Sequence, residues 1–139
     1  MQREEMLAKV EAAYDARRRG KLEKLREIVA EDAVFSFAGE GSLLADMPGS
    51  GGITVHRAAR ELYEAIELRE LDQLTVVAED NRVAILWRTI AAVRGGEEFE
   101  TLMFDLWEFD GCKKICKGTQ FIDTAKFVQA MRSRADAVS

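Results

Sequence analysis

The sequence predicts an α+β domain in which three N-terminal helices pack on a curved, mostly antiparallel sheet. Apolar residues recur at helical spacing in the first half of the chain, whereas after Arg69 they alternate with polar residues at every second position. Short turn sequences such as Arg94-Gly95-Gly96 and Asp110-Gly111 separate the alternating runs, as in successive hairpins. At 139 residues we expect one domain over 1–139, with a frayed tail from about residue 133.

The first helix is predicted from Arg3 to Arg19. Leu7, Val10 and Tyr14 form its apolar stripe, and Gly20 follows where a left-handed residue commonly ends a helix. The other predicted helices are 21–30, 55–68 with Thr54 as its N-cap, and a short one after Asp123-Thr124.

A first strand is predicted at 33–38, between the second and third helices, with Phe35 and Phe37 on one face. Segment 39–52 contains half of the glycines and the only proline, which predicts a long loop. Leu43, Leu44 and Met47 are too apolar to be left in water, so we favour a lid. The remaining predicted strands are 71–78, 83–93, 98–109 and 114–122.

The charge balance argues against a nucleic-acid-binding protein. With 20 basic and 25 acidic residues the net charge is −5, whereas affinity for phosphate backbones depends on clustered Lys and Arg. The runs Arg17-Arg18-Arg19 and Lys113-Lys114 are interpreted as a solvated helix end and a hairpin rim. The charged N-terminus is unlike a secretory signal and no run reaches transmembrane length, so we expect a cytoplasmic protein that does not enter a membrane.

Metal and cofactor chemistry have no support in the sequence. Cys112 and Cys116 lack a second pair, and His56 is the only histidine, so no zinc-site spacing is present. Both cysteines are interpreted as free thiols, and His56 as a residue on the first turn of the third helix. No glycine-rich phosphate loop opens a helix, and we expect no cofactor.

The strand ending in Gly111 carries the most informative pattern. Its alternation places Asp105 on the same face as Met103 and Trp107. If that face lines a cavity, burial would raise the pKa of the carboxyl group and make it a candidate acid. The alternatives are an aspartate on the solvent side of the sheet or one permanently satisfied by neighbouring donors.

The order of elements resembles the nuclear transport factor 2-like superfamily, which includes ketosteroid isomerase, SnoaL-like polyketide cyclases and limonene epoxide hydrolase. The resemblance covers nearly the whole chain and is most specific at KLEKLREIVAEDAVFSF (21–37), FDLWEFDG (104–111) and QFIDTAKF (120–127). It implies a cone-shaped α+β fold, a blind pocket for a small molecule and a homodimer formed across the back of the sheet.

Similarity to ketosteroid isomerase implies that Asp105 corresponds to the aspartic acid that donates a hydrogen bond to the substrate oxyanion, which is a known example of a carboxyl group kept protonated by an apolar site. Phe37 stands at the position of that enzyme's base and cannot accept a proton. Tyr14 lies within one residue of its catalytic tyrosine, although a gapped alignment places Ala13 there.

Similarity to limonene epoxide hydrolase again implies that Asp105 is a pocket carboxylate, whereas Gln120 replaces the second one. An amide orients a water molecule but does not take its proton. Glu40 and Asp46 in the loop are candidates for the missing base, as is His56.

The sequence therefore predicts a SnoaL-like domain that binds a small, largely apolar organic molecule, with an isomerase, cyclase or epoxide hydrolase as the candidate enzyme classes. The alternative is a non-catalytic binding or protein-interaction domain on the same fold. The expected catalytic residues are Asp105 and Tyr14, and the expected ligand-binding residues are Gln120, Trp87, Trp107, Met103, Phe35 and Phe37.

Overall fold

Helices lie against a five-stranded sheet in the computed structural model, which describes residues 1–39 and 47–138. The α+β prediction is confirmed. The elements are α1 (Arg3–Arg18), a 3₁₀ helix (Leu22–Glu27), β1 (Val29–Phe37), α2 (Val55–Ala65), β2 (Ile66–Glu79), β3 (Arg82–Val93), β4 (Glu98–Phe109), β5 (Ile115–Ile122) and α3 (Thr124–Val138).

The strand order is β1-β5-β4-β3-β2, so the four C-terminal strands form the predicted sequential antiparallel meander. β1 joins the edge of this meander parallel to β5, with Val29 opposite Ile115 and Phe37 opposite Gln120. The register shifts twice between β2 and β3, and such irregularities bend a strand and increase its twist.

Both predicted helix caps are present. α1 ends in two backbone hydrogen bonds, from Lys21 N to Ala16 O and from Gly20 N to Arg17 O, while Gly20 has a φ of 71°. This is the paired hydrogen-bonding pattern of a helix that ends at a left-handed glycine. At the start of α2 the Thr54 side chain accepts a hydrogen bond from Arg57 N.

Three helices differ from the prediction, and β1 and β2 begin four and five residues earlier than predicted. The second helix is a single 3₁₀ segment, because Val29 pairs with Ile115 and begins β1 instead of continuing the helix. The third helix ends at Ala65, three residues early, because Ile66 to Leu68 pair with Val93 to Ala91 of β3. At the C-terminus α3 is longer than the predicted short helix and continues to Val138.

The core lies between the helices and the inner face of the sheet. Along β4 the residues Thr101, Met103, Asp105, Trp107 and Phe109 are all buried, whereas Leu102 and Phe104 are exposed. The alternation therefore assigns the inner face as the sequence predicts. Met47, described at the end of the loop, is also buried, while Glu40, Leu43, Leu44 and Asp46 lie outside the described residues.

Candidate functional site

Asp105 is a fully buried acceptor for four side-chain donors. Its Oδ2 accepts from Tyr14 Oη, from Trp87 Nε1 at 2.9 Å and from Trp107 Nε1 at 3.2 Å. Its Oδ1 accepts from Gln120 Nε2 at 2.9 Å. The carboxyl group has none of its surface exposed, so these four side chains take the place of water.

Each donor reaches Asp105 from a different part of the fold. Trp107 is two residues along β4 on the same face, and Gln120 lies directly opposite Asp105 in the antiparallel pairing of β4 with β5. Trp87 comes from β3, where it is opposite Met103. Tyr14 descends from α1 and packs edge-on against both indoles, with centroid distances of 5.0 Å and 6.3 Å.

Burial dominates the ionisation of this cluster. Desolvation raises the pKa of Asp105, although the hydrogen bonds from Tyr14, Gln120, Trp107 and Trp87 each oppose the shift. The pKa of Tyr14 is raised well above its ordinary value, first by burial and then by the adjacent Asp105. Tyr14 is therefore held as the neutral phenol, donating to Asp105 and accepting from Gln120 Nε2 at 3.0 Å.

A small cavity of about 50 Å³ lies beside the cluster. Of the residues predicted to bind a ligand or to be catalytic, four line it: Tyr14, Phe35, Trp107 and Gln120. The other lining residues are mostly aliphatic: Ala13, Arg17, Leu25, Val55, Ala58, Ala59 and Leu62. Such a volume holds a few water molecules and is well below that of a preformed pocket for a drug-sized ligand.

Four predicted site residues do not line this cavity. Asp105 lies behind Tyr14, Trp107 and Gln120, and its oxygens already accept four hydrogen bonds. The expectation that its carboxyl group looks directly into a cavity as a free donor therefore needs correction, because the group is an enclosed acceptor. Trp87, Met103 and Phe37 are buried in the core, with Phe37 packed edge-on to Phe35 at 5.1 Å.

Arg17 is the site residue that the prediction missed. It was interpreted as part of a solvated helix end, yet it is 9% exposed and lines the cavity, whereas Arg18 and Arg19 are exposed. The signal was present in the spacing, since Val10, Tyr14 and Arg17 fall at i, i+4 and i+7 on the buried stripe of α1.

The other candidate base, His56, is half-buried and borders a surface groove with Arg60 and Lys114 instead of the cavity. Among residues 1–39 and 47–138, no group of three or more His, Cys, Asp and Glu side chains is arranged to hold a metal ion. Within the same residues, no helix has the length and apolar character needed to cross a membrane.

The model of the SnoaL-like domain family matches residues 10–117, and the chain belongs to this family. A search of curated proteins found no match.

Solved structures with the same fold include a candidate isomerase from Rhodopseudomonas palustris (15% identity, 92% of this chain and 96% of that chain, TM-score 0.77). An epoxide hydrolase of M. tuberculosis resembling limonene epoxide hydrolase is 16% identical over 96% of this chain and 95% of that chain, with a TM-score of 0.68. A candidate SnoaL-like polyketide cyclase from a Jannaschia species is 14% identical over 92% of both chains, with a TM-score of 0.69. At these identities the similarity establishes the nuclear transport factor 2-like fold alone.

Proposed function

We propose that this SnoaL-like domain binds a small, largely apolar organic molecule carrying a carbonyl, hydroxyl or epoxide oxygen, and that Tyr14, backed by Asp105, is its acid–base group. The observation that carries the proposal is that Tyr14 and Gln120 line an otherwise mostly aliphatic cavity while both hydrogen-bond to the same buried carboxyl group. A few convergent polar groups among apolar walls are typical of small-molecule sites.

The proposed chemistry is a proton relay. The ligand releases a proton to Tyr14 Oη, the phenolic proton passes to Asp105 Oδ2, and the ligand becomes an anion beside the Gln120 amide. Return of the proton to another ligand atom along the same path completes an isomerisation with no net change in protons. Asp105 suits the accepting role because burial raises its pKa above that of an ordinary carboxylate.

The small cavity volume adds a condition. A ligand larger than a few water molecules must displace side chains of the wall, so binding is expected to move the aromatic rings around Asp105. Trp107 lines the cavity and donates to Asp105, which makes its fluorescence a direct reporter of occupancy.

The second candidate is non-catalytic binding or protein interaction on the same fold. It is favoured by the saturation of Asp105, whose four donors are those of a structural polar cluster, and by the small cavity. The two candidates differ in whether Tyr14 exchanges protons with a bound ketone.

The proposal includes a homodimer in the cytoplasm. Its support is an apolar patch on the outer face of the sheet, where Leu102, Phe104 and Phe121 are exposed and the two phenylalanine rings contact at 6.1 Å between centroids. The free thiols of Cys112 and Cys116 fit a reducing compartment. The net charge of −5 makes a nucleic-acid or anionic membrane partner unfavourable.

Deuterium exchange into small cyclic ketones, followed by NMR or mass spectrometry, tests the relay without knowledge of the natural substrate. The wild-type protein should accelerate exchange at the carbon next to the carbonyl, and Tyr14→Phe should reduce that acceleration by about 10²–10⁴-fold. Tyr63→Phe is the matched control, because Tyr63 lies on α2 and does not line the cavity. Ketone binding without exchange would favour the non-catalytic candidate. Full exchange in Tyr14→Phe would remove Tyr14 from the proposed relay.

A further inference from the structure

A guanidinium group with no hydrogen bond or ion pair to the described residues lies beside the cavity. Arg17 is 9% exposed, and within the described part of the chain its side chain forms no hydrogen bond or ion pair. A charge with so little exposure and no hydrogen-bond partner is costly, and the Arg17 nitrogens keep their contact with solvent at a neighbouring cleft. Desolvation lowers the pKa of Arg17, and the interactions with Tyr14 and then Asp105 offset part of the shift. An arginine stays protonated throughout the usual pH range.

Arg17 also borders two spaces. It is the residue common to the linings of the inner cavity and of a neighbouring cleft of about 210 Å³. The cleft is otherwise lined from the helix ends and from β2, including Arg18, Tyr63, Glu67, Arg69 and Arg94. A ligand that extends from cleft to cavity therefore passes Arg17.

The three other arginines of the cleft already have partners. Arg18 donates to Leu68 O and Arg69 O, while Arg69 pairs with Glu67 and Glu98. Arg94 donates to Tyr63 O, approaches Glu67 at 3.4 Å and stacks over the Tyr63 ring. Within the described residues, Arg17 is thus the one cleft arginine whose donors are uncommitted, which matches a ligand with a single negative charge.

We infer that Arg17 binds the carboxylate of an amphipathic monocarboxylate whose apolar body enters the cavity towards Tyr14. Tyr14 and Arg17 are three residues apart on α1, so their side chains lie on the same face of the helix. The planar fork of one guanidinium matches the two oxygens of one carboxylate. This inference rests on the proposed function and names its ligand class: the carboxylate end binds at Arg17 while the reacting oxygen function reaches Tyr14.

The experiment compares acids with their uncharged counterparts. Monocarboxylates from butanoate to octanoate, together with phenylacetate, are titrated in parallel with their methyl esters, and binding is followed by tryptophan fluorescence and by the arginine Nε–H NMR signals. The wild-type protein should bind the acids at least about tenfold more tightly than the esters, because hydrogen bonds between charged groups are stronger than neutral ones. The Arg17 Nε–H signal should shift with acids and stay in place with esters.

Arg17→Gln should abolish the preference for acids, because it should weaken acid binding by at least about tenfold more than ester binding. Arg19→Gln is the matched control, since it removes the same charge from an exposed neighbour paired with Asp15 and should keep the preference. Arg17→Lys keeps the positive charge without the planar fork, and it should retain a weaker preference.

The outcomes separate this inference from the proposed function. Ester binding together with Tyr14-dependent exchange, but an equal affinity for acids and esters or an unmoved Arg17 signal, overturns the carboxylate assignment and leaves the acid–base proposal standing. A failure of every acid and every ester to bind, while Tyr14-dependent ketone exchange persists, overturns the carboxylate assignment alone. Absence of both binding and exchange in the wild-type protein overturns both proposals.

Discussion

Asp105 and Gln120 face each other directly across the β4–β5 pairing, and the Gln120 amide donates to Asp105 Oδ1 at 2.9 Å. The two side chains project from the same face of the sheet because opposite residues of an antiparallel pair always do. The amide therefore occupies a position where a second carboxylate would compete with Asp105 for protons, and this defines the first experiment.

Gln120→Glu should destabilise the fold in a pH-dependent manner. It places two buried carboxyl groups opposite each other, which raises their pKa values and favours a shared proton. The folded variant is most stable when the two carboxyl groups share or carry protons, which they do at low pH. It loses this stability as the pH rises through their raised pKa values. We expect a loss of about 2 kcal/mol near pH 8 and a smaller one near pH 4 in denaturant unfolding. Gln129→Glu on the exposed side of α3 is the control, and equal losses at the two pH values would contradict the expectation.

Asp105 should make the protein less stable as the pH rises above 3.8, which is the ordinary pKa of an aspartate carboxyl group. Its folded-state pKa is raised by desolvation, so the folded protein holds the proton more tightly than the unfolded chain does. We therefore compare the unfolding free energies of the wild type and Asp105→Asn. Relative to the variant, the wild type should lose stability as the pH rises from 3.8 to the folded-state pKa of Asp105, and lose no more above that pH. A difference that moves in favour of the wild type would mean that the four hydrogen bonds outweigh burial.

Trp87→Phe removes one donor to Asp105 and should cost about 1–3 kcal/mol of unfolding free energy. Since the hydrogen bond from Trp87 lowers the pKa of Asp105, its removal should raise that pKa further. The pH-dependent loss of stability should therefore extend to a higher pH in Trp87→Phe than in the wild type. A double-mutant cycle with Asp105→Asn measures the coupling, which we expect at about 0.5–3 kcal/mol because the two side chains are in contact. Additive single effects would show that the hydrogen bond contributes nothing.

Gly118→Ala tests how tightly Trp107 is held. A Cβ at Gly118 would lie 2.3 Å from Cζ3 of Trp107, so the indole must move away from β5. Overpacking of this kind costs about 1–3 kcal/mol, and here it should also change tryptophan fluorescence by disturbing the donor to Asp105. Gly111→Ala is the matched control, since nothing lies within 4 Å of its added Cβ. An unchanged melting temperature for Gly118→Ala would contradict the close packing.

The proposed dimer is tested on the outer sheet face. Phe121→Lys or Phe104→Lys should convert a dimer to a monomer in analytical ultracentrifugation without loss of folded structure, because each side chain is exposed in the single chain at 51% and 41%. Gln129→Lys, on the exposed side of α3 and away from the outer sheet face, should leave the association state unchanged. A wild-type monomer at all concentrations would reject the dimer.

The sequence correctly predicted the features that depend on residues close together in the chain. The alternation through Met103, Asp105 and Trp107 identified the inner face of β4, and Thr54 and Gly20 marked the helix ends where they stand. The apolar stretch around Val29 is compatible with helix or strand, and it becomes a strand because Ile115 lies opposite it. That partner is remote in the sequence, so no local pattern reveals it.

The sequence predicted several residues of the candidate site but did not predict how they are placed relative to one another. Tyr14, Trp107, Gln120 and Asp105 do come together, yet their order, with Asp105 behind and Tyr14 in front, depends on how α1 crosses the sheet. Arg17 was missed because a run of three arginines was assigned one environment. Successive residues on a helix point in different directions, and the third position after Tyr14 faces inward.

The parallel pairing of β1 with β5 joins two strands that are separated by most of the chain. Bringing β1 and β5 together closes a large loop, and the entropy cost of closing it precedes the contacts between the two strands. This slows folding relative to a meander alone. During synthesis β1 therefore lacks its sheet partner until β5 has been made. The hydrogen-bond cluster needs Gln120 from β5, so it is completed only after β5 has joined the sheet.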